Sequence, residues 1–346
     1  MFREAKMRLL FAGFGTVGQG LAELLLKKRA FLSKRYGLNF TVIGIADKLL
    51  GSLYHPDGLD LGRVLEMVRD HRSLEGYSEC VYRKDTLEMI REAEADVLLE
   101  ATYTDIKTGE PATSHIRTAL EKGMHVTTTN KGPLALFYQD LSALALTANV
   151  RFLFEGTVMS GTPVLNLLRE TLAGSDIQEI KGILNGTTNY ILTRMEGGLS
   201  YKDALDKAQE LGYAEAVPDA DVLGWDALAK VTILARVVFG AAGNPFDYPC
   251  EGITKITAGA IAEAKDQGKR YKLIGKVWKE GSIVRASVQP EEVDLTHPLA
   301  GVMGATNALT ITTDTLGDVT VVGPGAGRTE TGYSLLIDLL KIGGAL

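Results

Sequence analysis

Residues 7–18 read MRLLFAGFGTVG. The first six are apolar enough for a short buried strand, and Gly13, Gly15 and Gly18 follow at once in G-x-G-x-x-G spacing. Thr16 and Val17 then open a helical pattern that runs to about Tyr36. Strand, glycine turn and helix in that order let the backbone approach a dinucleotide pyrophosphate at a helix N-terminus. Gly13, Phe14, Gly15, Thr16, Val17 and Gly18 are therefore the expected contacts to such a group. A glycine turn that serves packing alone is the bland alternative.

Working outward, strand NFTVIGIAD ends at Asp47, where an acidic residue takes ribose hydroxyls and favours NAD over NADP. Lys48 and the loop GSLYHPDGLDLG follow and leave that preference open, since a lysine can meet a 2′-phosphate. Helices near 60–71 and 85–94, strand ADVLLEAT to Thr102, helix 113–122 and strand HVTTTNK continue the alternation. The last of these leads into a loop at Asn130 and Lys131, before a helix over 136–148. Alternating strands and helices predict an α/β fold with a Rossmann-type, doubly wound parallel sheet, whose ligands sit at the carboxyl ends of its strands. Thr102 and Lys131 lie at such ends, where a nicotinamide is expected.

The chain has 346 residues, 45% of them hydrophobic, and a net charge of −6. That length predicts two lobes with real cores. An acidic chain without basic runs argues against nucleic acid or an anionic membrane surface as partner. Two distant cysteines, Cys80 and Cys250, indicate neither a disulfide framework nor a thiolate metal cluster. The start MFREAKMRLL is charged and leads into a strand, unlike a signal peptide. A cytoplasmic protein of a reducing compartment is expected.

Beyond residue 150 the character changes. RFLFEG opens GTVMSGTP, where Glu155 beside a turn of small residues could hold a hard cation through oxygen ligands, or merely cap a tight turn. IQEIKGILNGTTNYILTRME predicts a strand, a polar turn over Asn185–Asn189 and a helix. Helix 200–211 opens at Ser200 with Asp203 in capping-box spacing. RYKLIGKVWKEG and SIVRASVQP predict a hairpin, and VTVVGPGAG a strand ending in a second glycine turn with Gly325 at its centre. Helix 329–342 is expected to return to the first lobe. The second lobe is thus α+β.

Within it, YAEAVPDADVLGWDALAKVTILARVVFG (213–240) predicts a helix from Asp221 to Gly240, apolar nearly all round from Trp225 onward. Asp226 and Lys230 share one face of it, four residues apart. An exposed pair at that spacing is worth only a few tenths of a kcal/mol. On an apolar helix the two are expected to be desolvated, which needs a functional reason. Glu215, Asp219 and Asp221 add carboxylates just upstream, making a candidate pocket floor.

Together GFGTVG, TTNKGPLA, FEGTVMSGTP, GILNGTTNYIL, LGYAEAVPDADVLGWDALAK and GPGAG resemble the homoserine dehydrogenase family over nearly the whole chain. The resemblance implies reversible NAD(P)-dependent interconversion of L-aspartate 4-semialdehyde and L-homoserine in threonine and methionine biosynthesis. It implies a dinucleotide-binding domain over 1–150, completed by 320–346, and a catalytic, dimerising domain over 151–319 in a homodimer. By the same resemblance Lys230 handles the proton on the substrate oxygen and Lys131 supports the nicotinamide or substrate. Glu215 takes the substrate ammonium, Asp226 holds its amino or hydroxyl end, Gly186 and Thr187 line the same pocket, and Asp221 also contacts the substrate. Thr102, Asp47 and Gly325 join the glycine loop as cofactor contacts. Glu155, Val158, Ser160 and Thr162 match a sodium or potassium site, although Met159 and Thr162 stand where the family has small residues. The chain stops soon after the GPGAG helix, so threonine feedback through a C-terminal regulatory domain is not expected. Two other readings stand beside this one: another two-lobed amino-acid dehydrogenase such as an aspartate dehydrogenase, and a dinucleotide-binding sensor without turnover.

Overall fold

The computed structural model describes residues 5–82 and 84–346. Residues 1–4, part of the stretch judged unlike a signal peptide, lie outside them. Two compact units emerge, one formed by 1–161 and 327–346 and the other by 162–326.

The first unit begins with β1 (Ala5–Ala12), α1 (Thr16–Tyr36), β2 (Leu38–Asp47) and β3 (Gly51–Tyr54). It continues through α2 (Leu61–His71), α3 (Thr86–Glu92), β4 (Val97–Glu100), α4 (Ala112–Glu121), β5 (His125–Thr128), α5 (Lys131–Thr147) and β6 (Phe152–Leu153). Its sheet runs β3-β2-β1-β4-β5-β6, parallel except for β3, which returns antiparallel along β2. Residues 51–54, expected to be loop, are thus an edge strand: Gly51, at φ +96, turns the chain back after Asp47. The helix expected from residue 136 begins at Lys131 instead, with a kink at Phe137. Asn130 accounts for the early start, because its side chain accepts from the Gly132 N–H at 3.2 Å and caps the helix.

The second unit holds β7 (Ile177–Ile183), α6 (Gly186–Glu196), α7 (Tyr201–Glu210), α8 (Asp219–Val222), α9 (Trp225–Phe239) and α10 (Ala258–Asp266). After these come β8 (Lys269–Glu280), β9 (Ile283–Asp294), β10 (Thr306–Thr313) and β11 (Gly317–Pro324). The five strands form an antiparallel sheet in the order β11-β10-β7-β8-β9. Three expectations change here. The helix expected from Asp221 is broken: Gly224 at φ +88 separates the single turn α8 from α9. The polar turn 185–189 is mostly the first turn of α6, capped by Asn185. Finally, β11 pairs with β10 in this sheet, so 320–326 stay with the second unit and 151–161 with the first.

The chain then re-enters the first unit as α11 (Arg328–Ile342). Leu335, Leu336, Leu339 and Leu340 join Leu21, Leu25 and Leu32 of α1 in its apolar core. The two helices approach so closely that a Cβ at Gly20 would lie 2.0 Å from the Arg328 carbonyl oxygen.

Candidate functional site

Each glycine of the first loop has its own physical reason. Gly13 sits at φ +89, and a Cβ there would lie 2.5 Å from the Ala101 carbonyl oxygen. At Gly18 it would lie 2.7 Å from the Gly13 carbonyl oxygen. At Gly15 it would meet nothing within 4 Å. Packing therefore requires the first and third glycines, while the second leaves open backbone, the arrangement that admits a pyrophosphate. Gly15 and Thr16 are exposed, and α1 begins without a side-chain cap or an acid in its first turn. Its first N–H groups are thus oriented for an anion.

The Phe14 ring is fully buried, edge-on to Phe11 at 5.4 Å. Only its backbone serves the loop, and the Phe14 N–H donates to Asp47 Oδ2 at 2.8 Å. The other Asp47 oxygen accepts from Leu49 N–H at 2.9 Å and Leu50 N–H at 3.0 Å. Asp47 thereby locks the loop to the β2 end, with its carboxylate at the edge where a ribose is expected.

Farther along the strand ends, Glu100, Thr102, Thr128 and Asn130 are knitted together. Asn130 Nδ2 donates to the carbonyls of Thr102 at 3.3 Å and Tyr103 at 2.9 Å. Its cap on α5 makes Lys131 the first helical residue there.

In FEGTVMSGTP, Glu155 is buried, and Met159 and Ser160 are both left-handed, at φ +57 and +55. Such consecutive positive angles mark an irregular turn. Val158 is fully buried in it. The Ser160 hydroxyl bonds Thr331 Oγ1 at 2.7 Å, and Thr162 Oγ1, in the second unit, donates to the Pro324 carbonyl at 2.9 Å.

The second unit brings Lys230, Asp226, Asp221 and the NGTT turn together. Lys230 is 7% exposed, and its Nζ donates to the Leu184 carbonyl at 2.6 Å and Asp226 Oδ2 at 2.8 Å. An ammonium carries three donors, so these two acceptors leave one N–H direction for a further oxygen. Asn185 Nδ2 donates to Asp221 Oδ1 at 2.6 Å and Asp226 Oδ2 at 2.9 Å, while its Oδ1 receives the Thr188 N–H. Thr187 Oγ1 donates to the Tyr213 carbonyl at 2.6 Å. Burial, followed by the charge of Asp226, pushes the Asp221 carboxyl above its usual range, while the Asn185 hydrogen bond opposes that rise.

Glu215 is exposed, and its carbonyl accepts from Gln209 Nε2 at 2.9 Å. Trp225, expected within the apolar surround, is 37% exposed. Gly325 lies in the second unit against Asn307: a Cβ there would fall 2.1 Å from Asn307 Nδ2. Sequence reasoning placed Asn185 in a turn without a role. A helix-capping asparagine directly before Gly-Thr-Thr was the available signal, but its two carboxylate partners lie 36 and 41 residues away.

Comparison with known proteins gives a consistent result. The homoserine dehydrogenase family model matches residues 163–340, and the model for the homoserine dehydrogenase NAD-binding domain matches 13–155. An NAD(+)-dependent homoserine dehydrogenase of Pseudomonas canavaninivorans is 44% identical, over 97% of this chain and 96% of its own length. A homoserine dehydrogenase of Methanocaldococcus jannaschii is 40% identical, over 97% of this chain and 98% of its own. Among solved structures, a hyperthermophilic archaeal homoserine dehydrogenase in complex with NADPH superposes with a TM-score of 0.83 at 32% identity, covering 98% of both chains. A Staphylococcus aureus homoserine dehydrogenase superposes at 0.79 with 30% identity, over 98% of this chain and 77% of that one.

Proposed function

This chain belongs to the homoserine dehydrogenase family, and from that membership we propose how its residues carry out the interconversion of L-homoserine and L-aspartate 4-semialdehyde. It is an NAD(P)-dependent oxidoreductase. The observation that carries the assignment of roles is the buried Lys230 ammonium with two of its three donors engaged.

A bound nicotinamide cofactor supplies and accepts the hydride. The first unit fits such a group: Gly15 is open to backbone approach, α1 has an uncapped N-terminus, and Asp47 stands at the ribose edge. Gly13, Thr16, Val17, Gly18, Thr102 and Lys131 complete the set of residues that would hold it. The carboxylate of Asp47 disfavours a 2′-phosphate there, which supports NAD as the preferred form.

Reducing an aldehyde builds negative charge on its oxygen, and oxidising an alcohol releases a proton from it. Lys230 as an ammonium meets that oxygen with its remaining N–H and gives it the proton, and in the oxidising direction its neutral amine takes the alcohol proton. Asp226 and the Leu184 carbonyl fix the ammonium, and Asn185 holds Asp226 and Asp221 side by side. Gly186 and Thr187 line the pocket from the α6 N-terminus, and Glu215 receives the substrate ammonium. The buried Glu155 and the irregular turn after it suit a sodium or potassium ion. Val158 and Ser160 would add backbone oxygens, since the Ser160 hydroxyl already has a protein partner.

We further propose a cytoplasmic homodimer. Among the described residues no helix is long and apolar enough to cross a membrane. On one face of the second sheet Glu179, Lys181, Lys276, Trp278 and Thr312 remain partly exposed, a surface a second copy would cover. Light scattering reads the state directly, and a monomer at working concentration would remove the dimer.

The deciding experiment follows nicotinamide absorbance with L-homoserine and either NAD or NADP, with L-aspartate and 2-hydroxy acids as controls. Reduction with homoserine alone is expected. Silence with homoserine, despite cofactor binding, would overturn the substrate, and turnover of L-aspartate would move the chain to the amino-acid dehydrogenases.

A further inference from the structure

The first unit contains a buried anion to which the scheme above gives no part. Glu100, the last residue of β4, is 0% exposed, and its carboxylate spans the carboxyl ends of two neighbouring strands. Its Oε1 accepts from the Thr102 N–H at 3.1 Å and from the Thr102 hydroxyl, and its Oε2 accepts from Thr128 Oγ1 at 2.8 Å. Thr128 Oγ1 in turn receives the Asn130 N–H at 3.0 Å, and Asn130 caps the helix that begins at Lys131. Beside it stands His115, buried, whose Nδ1 lies 3.9 Å from Glu100 Oε1 and has no hydrogen-bond partner among the described residues.

A buried carboxylate is retained against its desolvation only for a reason. Here it ties together the ends of β4 and β5, which lead to Thr102 and Lys131, and β4 borders the β1/β4 strand-order reversal beside which an open α/β sheet binds its ligand. Oxidised nicotinamide is a cation and reduced nicotinamide is neutral, so a fixed negative charge at the nicotinamide end of the site would favour the oxidised form. Lys131 brings the opposite charge to the same rim, but it is partly exposed and therefore more screened than Glu100.

We propose that Glu100 is a positioning residue for the nicotinamide end of the cofactor, and that its buried charge favours the oxidised ring over the reduced one. This rests on the reading of the first unit as the nicotinamide dinucleotide site.

The test measures Kd for NAD and for NADH by calorimetry on the full chain without substrate, beside circular dichroism and melting curves. Glu100→Gln keeps the shape and removes the charge, so it should weaken NAD several-fold more than NADH. Thr128→Val keeps the charge and loosens Asn130, so it should weaken both forms alike and leave their ratio at the wild-type value. A folded E100Q with the wild-type ratio overturns the proposal. If E100Q does not fold, T128V binding both forms as tightly as wild type overturns it instead. A wild-type protein that binds neither form gives a different result, because it removes the dinucleotide reading itself.

Discussion

Lys230 Nζ lies 2.6 Å from the Leu184 carbonyl oxygen, so the ammonium on α9 is anchored to the chain just beyond the end of β7. A lysine held only by Asp226 on its own helix could swing with that helix's surface rotamers. Held at both ends, it presents its third donor in one direction. For Lys230→Ala we expect cofactor affinity within about twofold of wild type and turnover lower by about 10²–10⁴-fold, the usual worth of a positioned acid–base group. Wild-type-like turnover would remove the role.

Asn185 is expected to matter twice. Asn185→Ala loses the α6 cap, at about 1 kcal/mol of stability, and leaves Asp221 and Asp226 without the amide between them. Asn185→Asp keeps an acceptor for the Thr188 N–H but sets a third carboxylate against the other two. The aspartate variant should therefore melt closer to wild type than the alanine variant while losing most of its kcat/KM. Equal kinetics for N185D and wild type would show that the amide is only a cap.

Cofactor choice should respond to Asp47. Asp47→Ser removes the charge at the ribose edge, so the preference for NAD over NADP should fall by about an order of magnitude, the scale of one close charge–charge contact. The ratio of kcat/KM for the two cofactors checks this. An unchanged ratio would place the discrimination elsewhere on that edge.

Lys272 sets a pH dependence of stability. It is 1% exposed and donates to Asn189 Oδ1 at 2.9 Å and the Val302 carbonyl at 2.5 Å. Burial, with Arg270 nearby, brings it down from 10.5 to about 8. Below the folded value both states carry the proton. Between about 8 and 10.5 the unfolded chain binds more protons than the native one, so this group's contribution to stability rises with pH. Relative to Lys272→Met, wild-type stability should gain up to about 3 kcal/mol across that window, read by denaturant unfolding near its two ends. A difference that stays constant or shrinks would contradict the assignment.

The cation site predicts that activity in a buffer free of sodium and potassium rises when either is restored. Glu155→Gln should blunt that response, and a flat wild-type response would remove the site.

What the sequence made legible follows from the range of each interaction. The glycine loop, the strand ends at Thr102 and Lys131 and the Asp226–Lys230 pair are patterns within a few residues, and the structure preserves each as a local relationship. Gly224 escaped because a single glycine inside an apolar helical pattern is usually tolerated, whereas here a left-handed turn breaks the helix. The hairpin of β3 onto β2 was hidden in a polar stretch whose pairing depends on its neighbour, and α5 begins early because its cap belongs to a loop held by Thr102 and Tyr103. Motif membership singled out Phe14 without saying which part of it faces the loop: its ring belongs to the core and its amide to the loop. Asn185 with Asp221 and Asp226, and Glu100 with Thr128, meet partners brought close by the fold, which no local spacing encodes.

The first unit is interrupted after Gly161 and resumes at Gly327. On the ribosome, the leucines of α1 are made more than 290 residues before the α11 leucines that cover them. The whole second unit is synthesised in between. A nascent chain therefore holds an unsealed apolar seam on its oldest helix while its younger unit can already fold. Chaperone demand should peak at that stage, and removing the last helix should leave a sticky first unit rather than a smaller working one.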